Sequence, residues 1–280
     1  MKRHVLAAVV CLALAVLTCS CTPAASRDGP SIRLAVLGAF DAEVALLGKT
    51  LTDAKSRRIE GIEFLSGRAG GRPVVIAWTG VGKVNAAMVT TLLIEHFQPT
   101  QVVFTGIAGA VDPNLEPGDI VIARQTAYHD MGSWWPEGIE PGGVKNRLTG
   151  ETNPVFFPAD SSLLAAAEQA VHRATFDAIA HRNGPRSPKV VVGTIVTGDT
   201  FVSSQEKCVE LAEKLDADAV EMEGAAVAQV CYQRGVGCVV IRSIADKADE
   251  SAVVDKQKFY ALAAKNSATL VAAILESLEP

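Results

Sequence analysis

The chain is poor in the features that announce most binding classes. Its formal charge is only −5 over 280 residues and no block of like charge stands out, so there is no electrostatic case for a nucleic-acid partner. Of six cysteines, only Cys208, Cys231 and Cys238 lie beyond residue 21. Three cysteines without a regular spacing make neither a disulfide framework nor a zinc site, and they read as core thiols. Nothing in the sequence implies a metal or an organic cofactor. Thr79-Gly80-Val81-Gly82-Lys83 resembles a phosphate loop only superficially. The pattern needs a glycine where Ala77 stands and a hydroxyl where Val84 stands, which excludes nucleotide binding of that kind.

Long apolar runs are also scarce, and the one that stands apart is Val5 to Leu17. It follows the basic Met1-Lys2-Arg3-His4 and precedes Thr18-Cys19-Ser20-Cys21. Residues 1–21 thus read as a secretory signal, too short for a comfortable membrane span. The closing cysteines suggest a lipoprotein signal, with Cys21 the preferred lipidation site. Cys19, plain cleavage and an uncleaved anchor are the alternatives. Each puts the domain outside the cytoplasmic membrane, in a bacterial envelope or periplasm. Residues 22–31, rich in Pro, Ser, Gly and Asp, read as a tether, and residues 32–280 as one domain.

Within that domain, apolar runs alternate with helical patterns. Strands are expected at 32–37, 64–68, 73–78, 101–105, 119–123, 189–197, 218–223 and 237–242. Helices are expected at 41–57, 84–97, 159–182, 203–214, 224–234 and 255–278. Residues 131–158, with Trp134, Trp135, Phe156 and Phe157, read as a long loop, a length that usually signals function or a partner. The alternation predicts a single α/β domain, a three-layer α/β/α sandwich around a mixed, twisted sheet.

Ligands of α/β sheets gather beyond the carboxyl ends of strands. Those ends carry Glu43, Gly109, Phe201, Glu221, Glu223, Arg242 and Asp246. The set has carboxylates, one cation, one aromatic and small residues, and no nucleophilic Ser or Cys beside a His. Paired carboxylates suit glycosyl chemistry, one as acid on the leaving group and one as base for water. Phe201 is placed to stack on a flat leaving group. At the centre is Val220-Glu221-Met222-Glu223-Gly224. If extended, this stretch turns Glu221 and Glu223 to one side, where sugar hydroxyls would pair with them. As a helix start, it merely sets acids against the helix dipole.

Several blocks then occur in one order: Gly38-Ala39-Phe40-Asp41-Ala42-Glu43, Thr79 to Lys83, Thr105-Gly106-Ile107-Ala108-Gly109, and Gly118-Asp119-Ile120-Val121. Tyr128-His129-Asp130, Gly198-Asp199-Thr200-Phe201-Val202, Val220 to Glu223 and Ile241-Arg242-Ser243-Ile244-Ala245-Asp246 follow. In these blocks residues 32–280 resemble the nucleoside phosphorylase/nucleosidase superfamily, and within it the methylthioadenosine/adenosylhomocysteine nucleosidases. The resemblance implies hydrolysis of a purine N-glycosidic bond without a cofactor, by a homodimer. It implies Asp246 as the acid that protonates N7, Glu43 as activator of water, and Arg242 as support of the carboxylates. It also implies Glu223 and Met222 on the ribose, with Glu221 beside them. Phe201 and Val202 would meet the base, Ala108 and Gly109 the floor, and Val81 the 5′ side. An acid at N7 needs a raised pKa, which burial among carboxylates would supply.

The 39–43 loop is acidic where phosphorylases carry a phosphate-binding arginine, which favours water as nucleophile. Four departures bear on substrate choice, one of them a loop 131–158 longer than usual. Ala245 stands where these nucleosidases usually have Ser, Ile107 replaces a small, often hydroxylic residue, and Lys256 replaces a pocket-closing aromatic. They leave open an exported nucleoside-binding protein or a phosphorylase as alternatives.

Overall fold

Continuous apolar runs become buried strands. The computed structural model describes residues 33–136, 138–180 and 184–278. The signal and tether expectations, Cys21 included, lie outside the described residues, as do the side chains of Glu43 and Lys256.

The strands are β1 (Leu34–Gly38), β2 (Thr52–Ile59), β3 (Ile62–Ala69), β4 (Arg72–Trp78), β5 (Gln101–Ala110) and β6 (Ile120–Tyr128). They continue with β7 (Gly132–Trp135), β8 (Gly138–Pro141), β9 (Phe156–Pro158), β10 (Val190–Thr197), β11 (Ala219–Glu221) and β12 (Gly237–Asp246). The helices are α1 (Asp41–Gly48), α2 (Lys83–Phe97), α3 (Ser161–Val171), α4 (Gln205–Leu215), α5 (Gly224–Arg234) and α6 (Ala252–Ser277).

The main sheet runs β2-β3-β4-β1-β5-β12-β6-β10-β11, with β9 added to β6. It is mixed: β1 is parallel to β4 and β5, β12 parallel to β5, and β12 antiparallel to β6. One core joins α2 and α5 to the sheet through Ala86, Val89, Leu93 and Ala225 to Ala228. A second joins α1, α3 and α6 through Leu47, Leu163, Ala167, Leu270 and Ile274. That is the expected three-layer sandwich. The twist goes further than expected, because β11 pairs back onto β5 through Val220 and Gly109. β5, β12, β6, β10 and β11 therefore close into a ring.

Four element expectations change. The helix expected over 41–57 stops at Gly48, and Thr52–Ile59 is instead an edge strand paired with β3. Every residue of it but Ile59 is exposed; charges on an edge strand discourage pairing with other chains and erase the alternation that marks a strand. The helix expected over 159–182 ends at Val171. The chain then turns to pack Phe176 and to anchor the Asp177 N–H on the Asn266 amide oxygen of α6 at 3.1 Å. The expected loop 131–158 contains the β7–β8 hairpin, a Lys145–Thr152 bridge and β9. Finally, β6 runs to Tyr128, five residues past its expected end, and β5 and β12 run four or five residues past theirs. Glycines are why they can stay paired there. A Cβ on Gly106 would lie 3.0 Å from the Arg242 guanidinium, and one on Gly109 would lie 2.7 Å from the Asp246 carboxylate. The three cysteines are buried free thiols.

Candidate active site

The ring closure brings the ends of β5, β10, β11 and β12 to one place. Gly109, Thr200, Phe201, Val202, Val220, Glu221, Met222 and Asp246 surround a cavity of about 30 Å³. Phe201 is also a wall of a neighbouring opening of about 550 Å³, whose other walls are Val253, Gln257 and Tyr260 of α6. The structure thus brings together Gly109, Phe201, Val202, Glu221, Met222 and Asp246 from the expected set.

Asp246 ends β12 and is buried. One carboxylate oxygen accepts the Ala248 N–H at 2.9 Å. Ala248 holds a left-handed φ of 52°, costly for a residue with a Cβ and typical of sites where geometry is imposed. Its carbonyl accepts the Ser204 N–H at 2.8 Å, which links the acid to the start of α4 just beyond Phe201. Ala245, before the acid, is buried with Ile107 and Ala263, and Phe40 and Tyr260 pack against them. Two of the departures named from the sequence therefore share one apolar cluster.

Glu221 and Glu223 have separate tasks. β11 stops at Glu221, so the stretch is not extended through Glu223. The Glu221 carboxylate accepts N–H groups of Glu223 at 3.0 Å and Gly224 at 2.8 Å, the Thr197 hydroxyl, and Arg242 Nη2 at 2.6 Å. It is a helix-start carboxylate and half of a buried ion pair, with both oxygens engaged by the protein. Glu223 reaches the other way and accepts the Gly82 N–H at 2.8 Å. Gly82 has φ 94°, a left-handed conformation open to glycine.

Arg242 is fully enclosed. Its donors go to Glu221 and to the carbonyls of Phe104 and Ile241, and its guanidinium lies 4.1 Å from the centre of the Phe104 ring. It supports Glu221 from below and presents nothing to a ligand. Ala108 lies in the core. Val81 lines a different cavity, about 840 Å³, with Trp78, Met88 and Ile62.

Sequence reasoning gave no role to Lys83, Asp130 or Asp199, although all three stand in the matching blocks. Lys83 Nζ lies 2.7 Å from both Asp130 oxygens and 3.6 Å from Asp199. Burial works to raise the Asp130 pKa, but hydrogen bonds from Lys83 and the Asp199 N–H outweigh it and hold the carboxyl below its usual range. Burial lowers the His129 imidazole, with Asp130 pulling the other way and Lys207 and Lys83 adding to the fall. Val253, Gln257 and Tyr260 had no sequence signal; only the packing of α6 brings them beside Phe201.

The chain belongs to the phosphorylase superfamily, whose family model matches residues 33–276. Within that class it is similar to a 5′-methylthioadenosine/S-adenosylhomocysteine nucleosidase of Shewanella denitrificans, 40% identical over 248 residues, covering 88% of this chain and 100% of the relative. A crystal structure of such a nucleosidase from Colwellia psychrerythraea in complex with adenine has TM-score 0.75 and 37% identity over 89% of this chain and 96% of its own. A futalosine hydrolase of Helicobacter pylori has TM-score 0.75 and 29% identity, over 89% of this chain and 99% of its own.

Proposed function

We propose that the protein hydrolyses the N-glycosidic bond of an adenine nucleoside, 5′-methylthioadenosine or S-adenosylhomocysteine, releasing adenine and the thio-ribose. The observation that carries this reading is the placement of Asp246 against Gly109, Phe201 and Met222, in a chain of this family. Asp246 donates its proton to N7, so adenine leaves neutral and the sugar takes the charge of an oxocarbenium-like transition state. Glu43 takes a proton from water as its oxygen bonds to C1′. Glu223, while it keeps the Gly82 N–H, accepts the ribose hydroxyls, with Met222 against the sugar. Phe201 stacks on the base and the Val202 backbone meets its edge. Ala108 and Arg242 hold the floor and Glu221.

A cavity of about 30 Å³ is far below the ~300–1,000 Å³ of ordinary ligand pockets. Phe201 is 44% exposed and walls both openings. In this reading the Phe201 ring turns as the nucleoside enters, so that the two openings it walls serve as one.

The reading includes a homodimer. Trp78, Val81, Val84 and Met88 on one side, and Trp134 and Trp135 on the hairpin, are exposed apolar side chains of the kind that dimer interfaces cover. It also includes an exported protein, lipidated at Cys21, on the strength of residues 1–21. Mass spectrometry of the membrane fraction decides this: a diacylglyceryl mass on a chain starting at Cys21 supports it, and an unmodified amino terminus refutes it.

The activity test is release of free base from methylthioadenosine, S-adenosylhomocysteine, adenosine and inosine, with and without phosphate. The expected result is adenine release independent of phosphate and lost in Asp246→Asn. Release only with phosphate makes the protein a phosphorylase. Binding without release makes it a nucleoside-binding protein.

A further inference from the structure

Three loops at the rim of the site are tied by one cation and two carboxylates. The first runs from β4 to α2 and presents the Gly82 N–H to Glu223 at 2.8 Å. The second follows β6 and carries Asp130. The third follows β10 and carries Asp199 two residues before Phe201. Lys83 Nζ bonds both oxygens of Asp130 at 2.7 Å. The Lys83 N–H donates to Asp199 Oδ1 at 2.8 Å, and the Asp199 N–H donates to Asp130 Oδ2 at 2.9 Å. Lys83 Nζ also lies 5.5 Å from the centre of the Tyr128 ring, whose hydroxyl donates to Gln229 of α5 at 2.8 Å. The Lys83 and Asp130 side chains are mostly shielded, at 20% and 26% exposure, where an ion pair is screened less than at an open surface.

We infer that Lys83, Asp130 and Asp199 form a clamp that sets the span between the sugar-side Glu223 and the base-side Phe201. This inference rests on the proposed nucleoside reading of the same site. None of the three residues lines the cavity. They act through the loops they join: Lys83 neighbours Gly82, and Asp199 starts the turn that leads to Phe201. Adenine alone needs only the base half of the site. A nucleoside has to meet both halves at once, so an error in their spacing penalises the nucleoside and spares the base.

The separation of those two effects is the test. For Lys83→Met, KM for methylthioadenosine is expected to rise about tenfold, the scale of one lost charged hydrogen bond, while inhibition by free adenine changes less than about twofold. Lys83→Arg, which keeps the charge and reaches the same carboxylates, is expected to recover most of that loss. Asp130→Asn is expected to follow Lys83→Met. Thermal unfolding of each variant gives the folded fraction. Unchanged KM in Lys83→Met overturns the clamp. So does parallel weakening of adenine and nucleoside, which is the mark of general damage. If the wild-type protein releases no base, the hydrolase reading fails separately. The clamp is then decided by calorimetric binding of methylthioadenosine and of adenine to the same variants, with the same two outcomes.

Discussion

At the residue scale, the site depends on carboxylates that the protein itself satisfies. The Glu221–Arg242 pair is out of water on both sides, at 2% and 0% side-chain exposure. Removing one member leaves a charge without a partner in a medium that solvates it poorly, a loss of about 3–5 kcal/mol. Arg242→Met should therefore lower the melting temperature sharply, and Glu221→Gln with it. The double replacement should cost less than the sum of the two, which a double-mutant cycle by thermal unfolding would read. His129 gives a pH prediction. It is buried, and the space of a Cβ on Gly198 is filled by its ring, 2.3 Å away. Asp130, Lys207, Lys83 and Glu221 are the charges that act on it. Its folded pKa lies below the ordinary 6.5, so the unfolded chain takes up the proton first. Stability from this group is complete above about pH 7 and is lost as pH falls from about 6.5 toward the folded pKa. The wild-type melting temperature should drop across that window, and His129→Gln should flatten the drop. Equal slopes for the two proteins would show that another group titrates.

Among the elements, the long pairing of β5 with β12 decides where the acid stands. The sequence marks both strands plainly as runs of Val, Ile and Phe. It does not mark their ends, because Gly106 to Gly109 look like a turn. Pairing continues because those glycines leave room for the side chains of Arg242 and Asp246 from the neighbouring strand. A methyl group on Gly109 would meet the Asp246 carboxylate at 2.7 Å and the Ala248 methyl at 2.8 Å. Gly109→Ala should cut kcat by at least about tenfold through displacement of the acid, with a smaller effect on folding. Steady-state kinetics beside thermal unfolding would separate the two. The same limit on local reading explains β2 and α3. An exposed edge strand has no apolar face to betray it. The alanine pattern of α3 contains no signal for the point where Phe176 is drawn into the core.

On the scale of the whole molecule, the hairpin of β7 and β8 is the feature least explained by a single chain. Trp134 and Trp135 are 77% and 56% exposed, and the hairpin is tethered to α4 by a 3.1 Å bond from Lys214 to the Ile139 carbonyl. If a second copy covers this face, Trp134→Ser with Trp135→Ser should shift the protein from dimer to monomer in light scattering at micromolar concentration. An unchanged dimer would place the interface elsewhere. Much of this molecule was already written locally. Strand and helix order and the α/β class follow from hydrophobic period, and the family shows in the resemblance that short ordered blocks of neighbouring residues bear to it. These are properties of neighbours in the chain, and a sequence displays them directly. What required the tertiary structure was every decision between distant groups. The ring closed by Val220 and Gly109, the separate partners of Glu221 and Glu223, the burial of Arg242 beneath the site and the meeting of Lys83 with Asp130 and Asp199 join residues far apart in the chain. Their geometry depends on which strand lies beside which, and that is set only when the whole sheet packs.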